Sequence, residues 1–169
     1  MSDDSRRHAL WTLNVPDFFP LGPNQLIGKH KMFVANHRNL VRAAMFKALG
    51  QDEPPKFIGR PAVLVMRLWG KRKRALDPDN AMAAIKPIID ILRRNGYANG
   101  KRQGFGMFAD DTSRHIRLLP VIQRKSEDGR TWTRIMVSGY LDSAVEIEQG
   151  PGAQIELDGQ IHEALFTCQ

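Results

Sequence analysis

Cysteine is nearly absent: the 169 residues contain one, Cys168. A single thiol excludes a disulfide framework and any zinc site built on cysteine, and it suits a reducing compartment, so a cytoplasmic protein is expected. Long apolar runs are also missing. The longest, such as Ala62 to Met66, fall far short of the ~20 residues that cross a bilayer. The stretch from Met1 to His8 has no apolar segment of the kind a secretory signal needs. No P-loop, nucleophile elbow or dinucleotide fingerprint occurs, so no nucleotide cofactor is expected. His30, His37 and His115 match no zinc spacing and read as structural or solvated residues. Cations are missing from one region. Residues 139–169 hold Asp142, Glu146, Glu148, Glu156, Asp158 and Glu163 and not one Lys or Arg.

The composition that remains, 42% apolar and 25% charged, is that of an ordinary globular chain of one domain. A chain of this length buries roughly 70% of its unfolded surface and folds without metal or disulfide. Residues 1–138 carry all 25 basic side chains against 12 acidic ones, a net of +13, while 139–169 carry −6. Such a body attracts polyanions, nucleic acid foremost; the alternative is charge that serves solubility alone. No long amphipathic helix with a bulky apolar face and no lipidation signal points to a membrane.

Pattern and punctuation predict a first strand over Leu10–Val15 and a Pro- and Gly-rich loop over Asp17–Gly28. A helix follows over Asn36–Leu49, with Asn36 as N-cap and Gly50 as its stop, then a linker over Gln51–Gly59. Pro61–Trp69 is the strongest strand. Asp79–Arg94 reads as a second helix ending at Asn95-Gly96, and Tyr97–Ala109 as a mobile basic loop with Lys101 and Arg102. His115–Ile122 and Thr131–Val137 read as strands of a hairpin across Glu127-Asp128-Gly129. Ala144–Glu148 and Gln154–Leu157 read as a second, acidic hairpin. The fold class is α+β: one mixed sheet with two main helices over 1–138, and an acidic β extension over 139–169 packed on or near the same domain. Trp11, Trp69 and Trp132 are expected in the core or at a dimer interface, and Phe105 and Phe108 are candidates for wedging into a nucleic-acid branch.

The informative stretch is Lys71-Arg72-Lys73-Arg74-Ala75-Leu76-Asp77-Pro78-Asp79-Asn80. Four cations are followed by two carboxylates two residues apart, which converge on one point if the segment is extended. Asp110 and Asp111 stand before a strand that can lie beside Pro61–Trp69, so three or four acids can meet at one sheet end. Two charges about 4 Å apart repel by about 4 kcal/mol at an effective dielectric near 20, so such a cluster needs protons or a cation. Hard oxygen donors without His or Cys suit Mg²⁺, or Mn²⁺ in its place, and an ion of this kind beside a basic run suits phosphodiester hydrolysis. The plainer alternative stays open: Asp79 caps a helix, Asp-Pro-Asp-Asn is a turn, and Asp110-Asp111 solvates a loop.

Asp77-Pro78-Asp79-Asn80, Lys86-Pro87-Ile88-Ile89-Asp90-Ile91-Leu92, Asn95-Gly96-Tyr97 and Asp110-Asp111, in that order and after a basic run, resemble the RusA family of Holliday-junction resolvases. Pro20-Leu21-Gly22-Pro23-Asn24 adds a weaker likeness, and the match covers residues 10–138. The resemblance implies a homodimeric, Mg²⁺-dependent endonuclease that binds four-way DNA junctions and nicks two opposed strands, one site per strand by two-fold symmetry. On that resemblance Asp77, Asp79 and Asp111 are catalytic metal-binding acids, with Asp110 beside them, and Asn80 holds the cluster or caps the helix. Lys71, Arg72, Lys73, Arg74, Lys101 and Arg102 would hold DNA. Lys86 is the family lysine counted back from Asp90, whereas the count forward from Asn80 falls on Ala83. The helix start therefore carries three extra residues, and Pro87 predicts a break that aims Lys86 at the scissile phosphate. The other reading of Lys86 is a solvated surface lysine.

Overall fold

A computed structural model describes residues 7–70, 74–93, 97–98, 100–142 and 153–157. They form one mixed sheet of six strands with helices against it, an α+β fold. In chain order the elements are β1 (His8–Pro16), α1 (Pro23–Leu26), α2 (Lys31–Leu49), β2 (Phe57–Trp69), α3 (Pro78–Ala84), α4 (Lys86–Arg93), β3 (Tyr97–Ala98), β4 (Lys101–Arg102), β5 (Arg117–Leu118), β6 (Ile122–Lys125), β7 (Trp132–Leu141) and β8 (Ala153–Leu157). The sheet runs β5-β2-β7-β1-β8, and β6 lies on the same side of β2 as β5, farther along it. β5 and β6 are parallel to β2, whereas every other pairing in this sheet is antiparallel.

The expected hairpin across Glu127–Gly129 is not formed. β6 and β7 lie on opposite flanks of β2, with Gln123 against Arg67 on one side and Thr133 against Arg67 on the other. Two apolar-rich strands joined by a turn signal look like a local pair. Here the apolar run from Ala62 to Met66, buried throughout, takes the central place between them. The connection crosses the end of β2: the Ser126 N–H donates to the Trp69 carbonyl at 2.9 Å, and the Gly70 N–H donates to Thr131 Oγ1 at 3.2 Å. A Cβ on Gly70 would lie 2.1 Å from the Gly129 carbonyl oxygen, so this crossing requires glycine.

Alternate residues of β1 (Ala9, Trp11, Leu13, Val15) join Val63, Val65, Ile135 and Val137 in the main core. α2 and α4 cover that face with Val41, Met45, Leu49, Ile88, Ile89 and Leu92, joined by Ile85 between α3 and α4. Leu10, Leu64, Met66 and Met136 form a smaller cluster on the other face. Trp11 is fully buried, as expected.

Three further expectations need correction. α2 begins at Lys31, five residues before Asn36, because the His30 ring nitrogen Nδ1 accepts from the Met32 N–H at 3.2 Å and caps it. The linker before β2 is shorter than expected, since Phe57–Arg60 already belongs to the strand, ahead of a register shift between Ile58 and Ala62. The segment after β4 is packed, not mobile. Its Phe105 and Met107 N–H groups donate to the Ile91 and Leu92 carbonyls at 2.7 and 2.9 Å, which satisfies the C-terminal end of α4. Phe105, Met107 and Phe108 are buried, and Phe105 meets Trp11 and Phe46 edge to face. Neither phenylalanine is free to wedge into a nucleic-acid branch.

β7 runs to Leu141, past the boundary expected at residue 138, and β8 adds the acidic region to the sheet by pairing with β1. The partner strand expected at 144–148 and the Asn95-Gly96 stop lie outside the described residues. Among the described residues no helix is long and apolar enough to cross a membrane.

Candidate functional site

The expected single helix over 79–94 is two helices. α3 ends at Ala84, Ile85 follows with ψ −6°, and α4 restarts at Lys86. Pro87 lacks the N–H that a continuous helix would use, and it is tolerated in the first turn of a new one. The break falls where Pro87 predicts it. Ile88, Ile89, Ile91 and Leu92 bury one face of α4, leaving Lys86, Asp90 and Arg93 at its margin.

These three side chains meet Asp110 and Asp111. The Lys86 ammonium donates to Asp111 Oδ2 and lies 3.3 Å from Asp90 Oδ1. Arg93 Nη1 donates to Asp110 Oδ1 at 3.2 Å and lies 3.7 Å from Asp111 Oδ1. The Asp111 N–H donates to Asp110 Oδ1 at 2.8 Å, which fixes the two carboxylates relative to each other. The Asp111 side chain is 16% exposed and that of Lys86 59%, so the ammonium faces solvent while the carboxylate it holds does not. Two cations thus stand among three carboxylates.

Asp77 and Asp79 share no hydrogen bond or ion pair with this group. Asp77 is the N-cap residue of α3 but makes no side-chain cap bond; Pro78 takes the first helical position, and Asp79 lies in the first turn. The strand-like alternation that would converge the two is therefore absent, because Pro78 presets helical φ. Both are exposed, without a hydrogen bond or ion pair from their carboxylates among the described residues; Asp79 there complements the helix N-terminus. Asn80 is half-buried behind them. A Cβ on Gly22 would lie 3.8 Å from the Leu76 side chain and 3.9 Å from the Asn80 carbonyl oxygen, so the start of α1 packs beside this turn. Among the described residues no three His, Cys, Asp or Glu side chains form a group that could hold a metal ion, so the expected meeting of Asp77, Asp79 and Asp111 is not seen there.

Two residues that sequence reasoning passed over hold the acid-bearing turn. Gln123 on β6 clamps Leu76: its Oε1 accepts the Leu76 N–H at 2.8 Å and its Nε2 donates to the Leu76 carbonyl at 2.7 Å. The same Oε1 accepts from Arg67 Nη1 at 3.2 Å. Arg67 is buried, its guanidinium 4.7 Å from the Phe19 ring centre, its Nε without a partner, and burial lowers its pKa. A lone arginine inside an apolar strand was the available signal for Arg67; Gln123 gave none.

Of the expected DNA-binding cations, Lys71, Arg72 and Lys73 lie outside the described residues, while Arg74 and Lys101 are exposed. Arg102 is taken up by the fold: its Nε and Nη2 donate to the Gly104 and Phe105 carbonyls at 2.9 and 3.1 Å, and its Nη1 lies 3.6 Å from Glu53. His37 is buried, accepts the Leu21 N–H on Nε2 at 3.3 Å, and has its pKa lowered by burial, so it is a structural neutral imidazole. Comparison of the chain with protein-family models finds no match, and comparison with curated protein sequences finds none.

Proposed function

We propose that this protein is a divalent-metal-dependent endodeoxyribonuclease of the RusA kind. In this reading a homodimer binds four-way DNA junctions and resolves them by paired symmetric nicks in recombination and repair. The observation that carries the reading is the Lys86–Asp111 pair. Two residues 25 apart in sequence, singled out by separate parts of one motif, share a hydrogen bond at a solvent-facing margin. A lysine aimed by a helix break at a largely covered carboxylate suits a site that receives a phosphate.

The donor set fits Mg²⁺ or Mn²⁺ in kind, since Asp77, Asp79 and Asp111 offer hard carboxylate oxygens. When bound, the ion would supply an activated water and stabilise the leaving oxygen. The chain's own residues have separate tasks. Lys86 pairs with Asp111 and presents its ammonium to an incoming phosphate, Arg93 bridges Asp110 and Asp111, and Gln123 fixes the backbone ahead of Asp77. Among the described residues no three acids form a group that could hold such an ion, which favours one second reading, a branched-nucleic-acid binding module of the same fold that does not cut.

Incubation with a labelled four-way junction and Mg²⁺ separates the two. The nuclease reading expects paired nicks at symmetric positions, abolished in Asp79→Asn while junction binding survives. Binding without nicks over a range of Mg²⁺ and Mn²⁺ concentrations overturns it in favour of the binding module.

A further inference from the structure

α2 carries Lys31, Arg38, Arg42 and Lys47 and no acidic residue. Successive residues of a helix are about 100° apart, so Lys31, Arg38 and Arg42, at spacings of seven and four, fall within about 40° of one another. The buried face is a neighbouring stripe, His37, Val41, Met45 and Leu49. Lys47 lies on the opposite flank with exposed Phe33 and Leu40. The cationic flank is the one turned toward the candidate site. Arg38, Asn39 and Arg42 line a cleft with Pro87, Asp90 and Ile91, and Arg38 borders a second cleft of about 150 Å³ that reaches Lys86.

Carboxylates do not neutralise this flank among the described residues. Lys31 and Arg38 are exposed and make no ion pair, and Asp90, the acid in the clefts, is held by Lys86. Arg42 is braced by neutral amides, donating to Gln103 Oε1 and, at 2.8 Å, to Asn39 Oδ1, which orients its guanidinium and leaves its charge uncompensated. Three cations spread along about 16 Å of helix, beside a site with a solvent-facing lysine, complement a polyanion.

We infer that the Lys31–Arg38–Arg42 flank of α2 is a phosphate track that holds the backbone of a duplex DNA arm and leads it to Lys86. The inference rests on the nucleic-acid reading above and adds to it residues outside the basic run at 71–74. At about 3.4 Å of rise per nucleotide on one strand, the track covers roughly five phosphates. The contacts are to backbone, so they position the arm without reading its sequence.

The test is junction binding measured in EDTA across a salt series from about 50 to 200 mM, which keeps it independent of cleavage. The double variant Lys31→Gln/Arg38→Gln removes two exposed cations with no hydrogen-bond partner. It is expected to lower the slope of log affinity against log salt by about 1.8, and to lose affinity on linear duplex and junction alike. Lys47→Gln, on the opposite flank, is expected to keep the wild-type slope. An unchanged slope in the double variant, or an equal drop in Lys47→Gln, overturns the track. A wild-type protein that binds with the expected slope but never nicks with Mg²⁺ sinks the nuclease reading and leaves the track standing.

Discussion

Gln123 does for the turn before α3 what a neighbouring strand would do. One side-chain amide takes both the donor and the acceptor of Leu76, tying the backbone next to Asp77 to the sheet. Gln123→Ala leaves that N–H and carbonyl to find water, and loses the acceptor for a buried arginine, at a cost of about 1–3 kcal/mol in urea unfolding. If the nuclease reading holds, the same variant is expected to need more Mg²⁺ for half-maximal nicking while junction affinity in EDTA changes less than about twofold. A stability loss with no shift in Mg²⁺ dependence would make Gln123 a structural residue only. At this scale the sequence was legible where chemistry announces itself in covalent form. Pro87 foretold the break before Lys86, and Gly50 with φ 68° closes α2 as read. It was silent on Gln123, because a glutamine in Ile-Gln-Arg-Lys looks like any polar residue of a short strand until Leu76 is brought against it.

Among the elements, the segment after β4 departs most from its expected character. Glycines and cations made Tyr97–Ala109 look like an open loop. Burial of Phe105, Met107 and Phe108 instead carries it under the end of α4. Phe105→Ala is therefore expected to cost about 3–5 kcal/mol in denaturant unfolding, the price of a large buried aromatic, while leaving the salt slope of DNA binding as it was. A variant that kept wild-type stability but lost junction preference would restore the wedge. The misread hairpin has the same origin. Turn chemistry at Glu127–Gly129 was visible, but what intervenes between the strands it joins is decided by β2, some 60 residues earlier in the chain, as in the Arg67–Thr133 and Arg67–Gln123 pairings. The site shares this limit. The motif residues were legible one by one, yet sequence order does not say that Asp111 meets Lys86 and Arg93.

For the whole molecule, the charge division noted at residue 138 does not coincide with a structural boundary, since β7 crosses it and β8 returns to β1. Truncation after Asp142 removes five carboxylates and no Lys or Arg, raising the net charge from +7 to +12, and it uncovers an edge of β1. The truncated chain is expected to melt at lower temperature, to self-associate in sedimentation, and to bind DNA more tightly at low salt. A monomer with unchanged melting temperature would show that β8 contributes nothing to holding β1.

β1 lies between β7 and β8, its His8 paired with Tyr140 and its Ala9 with Leu157. Trp11 thus pairs with Val137 and Leu13 with Ile135, residues far along the chain. Without Trp132–Leu141 beside them, Trp11 and Leu13 lose the longer of their two neighbouring strands. Closing the sheet over that hydrophobic stripe therefore means joining distant parts of the chain, a topology expected to fold slowly for its size.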